Sequence, residues 1–121
     1  MDCPPLIGMA GPDMAPRLIS APEPIQIALD NYVGAMATSH DGQVIAASCP
    51  RGGKLLFWNL KGELIGTRDF KDSSGIVAGN APSSFVATNG SGEIGDLSAD
   101  NVHRVTRESL AFDNHVALAH A

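Results

Sequence analysis

Aromatic residues are scarce in this chain. One Trp, one Tyr and four Phe make up 5% of it, so large packing anchors are few. Cysteine is limited to Cys3 and Cys49. Two thiols exclude a disulfide framework and a CxxC metal or redox site, and both are read as free thiols. Basic residues number 8 against 13 acids, for a net charge of -5. Lys54, Lys61, Arg68 and Lys71 are scattered among acids, and no basic stripe exists. A nucleic-acid partner is therefore excluded, because phosphate binding needs clustered cations. No apolar run reaches the roughly 18 residues of a membrane-spanning helix. The opening MDCPPLIGMAGPDMAP has neither a positive n-region nor a long apolar core. No signal peptide is read there, so the chain as it stands is cytoplasmic or its start lies upstream. No long stretch repeats apolar residues at helical spacing.

What is present is a globular composition rich in turn formers: 44% hydrophobic, with 13 Gly and 8 Pro. A chain of 121 residues buries roughly two-thirds of its unfolded surface, enough for one small domain. Residues 1–24 contain PP at Pro4–Pro5 and PEP at Pro22–Pro24. Proline cannot donate to a ladder, so this segment reads as an irregular connector with a possible edge strand at Arg17–Ser20. From Ile25 onward, short apolar runs alternate with turn signals. Val33–Thr38, Val44–Ser48, Lys54–Leu60 and Glu63–Phe70 read as an antiparallel meander, opened by an Asp-Gly turn in HDGQ. Gly75–Ala78, Ser84–Thr88, Ile94–Ser98 and Val102–Ser109 repeat the order.

The repeat is the strongest signal. LDNYVGAMA at Leu29–Ala37 resembles AFDNHVALA at Ala111–Ala119, with KDSSGIVAG at Lys71–Gly79 as a weaker copy. The anchors Asp30, Asp72 and Asp113 fall 42 and 41 positions apart, and VIAAS at Val44 precedes FVATN at Phe85 by 41. Four strands on a period of about 40–45 residues mark a propeller. The fold class read here is all-β: about two four-stranded antiparallel β-propeller blades plus a strand of the next, closing blade. The segments are a connector over 1–24, blades over 25–70 and 71–110, and a closing strand and tail over 111–121. The competing reading is a β-sandwich with two chance hairpins.

VIAASCPRGGKLLFWNLKGELIG over Val44–Gly66 resembles a blade of an uncharacterised bacterial periplasmic β-propeller family, WD-repeat-like and a domain of unknown function. SGIVAG, ATNGSGEI and the terminal FDNHV are similar to its closing segment. The resemblance implies a full-length secreted propeller, often encoded beside imelysin-type iron-uptake proteins. It supplies fold and periplasmic compartment but little chemistry.

Propeller geometry would gather two classes of loop on one face. The first holds Asp30, Asn31 and Tyr32, then Asp72, then Asp113, Asn114 and His115. The second holds Ser48–Gly53, with Arg51, and Asn89–Gly92. The functional reading makes Asp30, Asn31, Tyr32, Arg51, Asp72, Asp113, Asn114 and His115 a ligand-binding rim. In the structural reading, Asp and Asn satisfy backbone groups in turns, and Arg51 pairs with an acid of the neighbouring blade. The glycines beside Arg51 would admit a carboxylate or phosphate, but no GxxxxGK(S/T) loop is present. The rim's His and Asp could serve a metal, but His40, His103 and His115 lack ligand-spaced partners and His120 stands near the terminus, so no metal or other cofactor is read. Phe57 and Trp58 sit on adjacent strand positions and face opposite sides. No GxSxG elbow exists.

The function read is a non-catalytic binding or scaffold module, the C-terminal part of a seven-bladed-type propeller linked to periplasmic iron uptake. Its partners are an unknown protein or small ligand on the inner-loop face and the remaining blades of a parent. A metal-dependent hydrolase or lactonase of propeller type is one alternative; a truncated fragment without function is the other.

Overall fold

Strands form wherever short apolar runs meet turns that carry Gly, Asn or Asp. The computed structural model describes residues 4–110, 112, 116 and 117. Strands β1 (Ile7–Gly11) and β2 (Met14–Ile19) make a hairpin, followed by helix α1 (Glu23–Ala28). Strands β3 (Met36–Thr38), β4 (Val44–Cys49), β5 (Lys54–Asn59) and β6 (Leu64–Asp69) form a first four-stranded sheet. Strands β7 (Ser73–Ala78), β8 (Phe85–Asn89), β9 (Glu93–Leu97) and β10 (Val102–Arg107) form a second. Both sheets are antiparallel meanders in chain order.

The eight strands expected between Val33 and Ser109 are each found, with small shifts at their ends. β3 starts late because the Ser48 hydroxyl takes the Ala35 N–H at 2.9 Å and makes the pairing irregular there. Residues 4–28 are more regular than their prolines suggest. The edge strand read at Arg17–Ser20 belongs to the hairpin, and a short helix lies where a lead-in to a strand was read. Four of the segment's six prolines sit where a missing donor costs little. Pro12 is in the β1–β2 turn, and Pro16 falls where the ladder is interrupted. Pro22 caps α1, and Pro24 occupies its first turn, whose N–H groups have no helical partner anyway. Of the strand read at Ala111–Ala119, all but Phe112, Val116 and Ala117 lie outside the described residues.

The first sheet is buried on both faces. Phe57 and Trp58 point to opposite sides, and neither has any exposed surface. Val44, Ala46, Leu55 and Phe57 pack against Phe70, Ile76, Phe85, Ala87 and Leu97 beside and within the second sheet. The rings of Phe57 and Phe85 are 5.6 Å apart and tilted by 52°. Ala47, Cys49, Leu56 and Trp58 pack on the other side against Ile7, Met9 and Ile19 of the hairpin and Leu29 after α1. Gln26 closes that layer: it accepts from Ala21 N–H and donates to the Pro4 carbonyl. Trp58 Nε1 donates to Ser20 O at 3.2 Å.

Polar bonds link the successive layers at matching places. Arg17 of the hairpin donates to Leu60 O in the β5–β6 turn, at 3.2 Å. Arg68 of β6 donates twice to Ala99 O in the β9–β10 turn, at 3.1 and 2.7 Å. At the other end of the strands, the Ser48 hydroxyl donates to Ser74 O at 2.6 Å. The Ser73 hydroxyl accepts from Cys49 N–H and donates to Lys54 O. The Ser74 hydroxyl in turn lies 3.3 Å from Phe112 O, beyond the second sheet.

Removing the Phe57 ring should cost about 3–5 kcal/mol, since the cavity would open between two sheets that cannot both collapse onto it. Leu18, 70% exposed on the hairpin, is the control; Leu18→Ala should stay within about 0.5 kcal/mol of the parent. Urea denaturation of Phe57→Ala and Leu18→Ala checks both values. Equal midpoints would contradict the two-sided core.

Candidate functional site: the loop end

Alternating strand directions bring the segments before β3, between β4 and β5, between β6 and β7, and between β8 and β9 to one end of the sheets. Asp30, Asn31 and Asp72 have φ of 52°, 54° and 54° there. This left-handed region favours Asp and Asn among residues with a side chain, because their short polar groups bond locally. Two of the repeat anchors therefore share a backbone conformation, which accounts for the recurrence of Asp at those positions.

Three of the predicted site residues come together. The Arg51 guanidinium carbon lies 4.9 Å from the centre of the Tyr32 ring. Arg51 Nη1 donates to the Asp30 carbonyl at 3.4 Å and lies 4.0 Å from its carboxylate. The Arg51 and Asp30 side chains are 58% and 75% exposed, so this ion pair adds little to stability. The other Arg51 donors, Nε and Nη2, have no partner among the described residues. Asn31 is exposed beside this cluster.

Asp72 stands apart. Its carbonyl accepts Gly90 N–H at 3.1 Å, and its carboxylate lies where a Cβ on Gly90 would project. Among the described residues, no hydrogen bond or ion pair joins it to Arg51 or Asp30. Asp113, Asn114 and His115 lie outside the described residues, as do Cys3 and His120. His40 and His103 belong to the opposite end and to β10; His103 Nδ1 is 3.3 Å from Asn101 Nδ2. Among the described residues, no three His, Cys, Asp or Glu side chains converge on a point that could hold a metal ion.

The glycines of the Arg51 loop serve packing. A Cβ on Gly52 would lie 2.6 Å from the Ala28 carbonyl at the end of α1. Gly53 has φ 63°, and its carbonyl accepts Phe70 N–H at 2.9 Å. Sequence reasoning did not single out the Lys54–Asp69 pair at this end, 2.8 Å apart. The hydrogen bond and charge of Lys54 hold the Asp69 carboxyl below its ordinary range. It also missed a shared turn: the Asn59 and Asn89 side chains each accept two backbone N–H groups and donate to Glu63 and Glu93. The spacing N-x-x-G-E was the available signal.

Cys49 is fully buried at the end of β4, and burial pushes its thiol up to about 12. Only a thiolate is nucleophilic, so Cys49 carries no chemistry at neutral pH. Iodoacetamide at pH 8 should leave Cys49 unmodified in the native chain and alkylate it in urea, as read by peptide mass mapping. Fast native labelling would contradict the packing around β4.

Residues 1–119 match the model of a family described as "Protein of unknown function (DUF1513)". No curated protein matches the chain. The match spans the hairpin, both sheets and the loop end, and on that basis the chain belongs to this uncharacterised family.

Proposed function

We propose that the chain is a non-catalytic binding or scaffold module, built of stacked sheets of the β-propeller kind, that recognises an anionic group at its loop end. The observation that carries this reading is the Tyr32–Arg51–Asp30 cluster. The Arg51 guanidinium lies over the Tyr32 ring, Asp30 engages Nη1, and the side chain is 58% exposed. A planar fork of this kind suits a carboxylate or phosphate, which it can bind through two parallel bonds. The cation–π contact holds the fork in place without neutralising it. The stacked-sheet part of the reading is supported by the period of about 41 residues and by the layer-to-layer bonds of Arg17, Arg68, Ser48 and Ser74. The family resemblance extends the proposal to a periplasmic setting linked to iron uptake; cell fractionation that recovers the protein only in the cytosol would end that extension.

Inorganic phosphate and acetate are the probes for the loop end. Titration into isotopically labelled chain should give saturable NMR shifts at Tyr32 and Arg51–Gly53. Arg51→Gln should lose them and keep the fold, because Arg51 is exposed. Linear, non-saturating shifts, or identical curves for Arg51→Gln, would sink the reading.

A further inference from the structure

The turn between β8 and β9 contains the one Asn–Gly step in the sequence, Asn89–Gly90. In a flexible chain such a step deamidates readily, because glycine neither shields its own nitrogen nor restrains the backbone. The Gly90 nitrogen attacks Asn89 Cγ and a cyclic succinimide closes. The side-chain nitrogen leaves as ammonia, carrying the proton that Gly90 N gives up. Solvent water then opens the ring at either carbonyl, giving aspartate or a main-chain isoaspartate. The fold nonetheless needs both residues. Asn89 accepts two backbone N–H groups and also donates to Glu93, which a carboxylate cannot do. Gly90 leaves room for the Asp72 carboxylate, which would collide with a Cβ there.

The contacts that require this pair also oppose its reaction. Asn89 Oδ1 accepts Ser91 N–H at 3.1 Å and Glu93 N–H at 2.9 Å, and Nδ2 donates to Glu93 Oε1 at 3.0 Å. Ring closure needs the carboxamide to turn its carbon toward Gly90 N, and that rotation strains or breaks these three bonds. Gly90 N–H is itself engaged by the Asp72 carbonyl at 3.1 Å. The Asp72 carboxylate beside Gly90 opposes loss of that proton, since the anion formed would face a like charge. Asn89 is fully buried, so water and hydroxide do not reach its side chain.

We infer that Asn89–Gly90 is a deamidation site that the native turn closes and unfolding opens, so that the modification is a one-way mark of chains that have unfolded. The product does not fit back into the turn. An aspartate would set its carboxylate against that of Glu93, where the 3.0 Å bond now lies, at a buried position. An isoaspartate would lengthen the main chain where Asn89 pairs with Ser73. The Ser73 hydroxyl ties the second sheet to Cys49 N–H and Lys54 O of the first, so the lesion reaches the contact between layers. Asn59 is the internal control: its turn repeats the three bonds, to Lys61 and Glu63, but Leu60 follows it. The inference is independent of the Arg51 cluster.

The test incubates the full chain at pH 8 in native buffer and in urea, and follows the mass gain and the isoaspartyl peptide at Asn89 by peptide mapping. Asn89 should convert more than about tenfold faster in urea, because the native rate follows only the small open population. Asn59 should stay intact in both over the same interval. Equal rates at Asn89 in the two conditions would overturn the protection. Conversion of Asn59 as fast as Asn89 in urea would overturn the assignment to the Asn–Gly step. After urea is removed, converted chains should be depleted from the protease-resistant, refolded fraction, and their full recovery there would overturn the one-way mark. Asn89→Asp, made directly, should lower the urea midpoint, and Glu93→Gln in the same chain should restore part of it, since an amide can donate to the new carboxylate. A midpoint of Asn89→Asp equal to the parent's would show that the product does fit, against the inference.

Discussion

The burial of the first sheet on both faces is the constraint on which the other features rest. β5 carries Leu55 and Phe57 on one side and Leu56 and Trp58 on the other, all fully buried. One strand therefore anchors two separate cores. Neither the hairpin with α1 nor the second sheet can leave without exposing one of those faces. With so few aromatics in the chain, Phe57, Trp58 and Phe85 supply much of the large apolar area that holds the layers together.

Once the layers are stacked, polar groups align them. Arg17 and Arg68 bond the turn of the following layer at one end, and Ser48 and Ser74 bond the following layer at the other. The Arg68, Ser48 and Ser74 bonds are partly buried and the Arg17 bond is exposed, and together they oppose sliding of one sheet over another. The loop end inherits its geometry from this alignment. Arg51 reaches Tyr32 and Asp30 because Gly52 lets its loop lie against the end of α1, and because Phe70 N–H bonds Gly53. The loop end presents an exposed cation, Arg51, and the one described thiol is buried and held protonated at neutral pH.

The meanders were legible because their turns are local. Asp-Gly after Thr38, the Gly-bearing turns after β5 and β8, and alternating apolar runs decide hairpin positions over a few residues. The hairpin at 7–19 was not, because proline content argued for irregularity. What made it tolerable is where each proline falls relative to a ladder interruption or a helix start, which is a matter of register. At the site, proximity of Asp30 and Arg51 was anticipated by the repeat, whereas the separation of Asp72 was not. Both Asp residues take the same φ, but only the carboxylate of Asp72 faces Gly90, where a missing Cβ leaves room.

By itself the chain order determined an all-β architecture, the strands of two meanders, their period, and the opposite facing of Phe57 and Trp58. Each follows from interactions between residues near in sequence: turn preference, strand alternation and local backbone strain. Only the tertiary structure decided which faces meet, that the β1–β2 hairpin and α1 form a third layer, and that Arg51 lies over Tyr32. Those outcomes depend on contacts between residues tens of positions apart. Side-chain volume and hydrogen-bond satisfaction across layers select among arrangements that the local pattern leaves equally open.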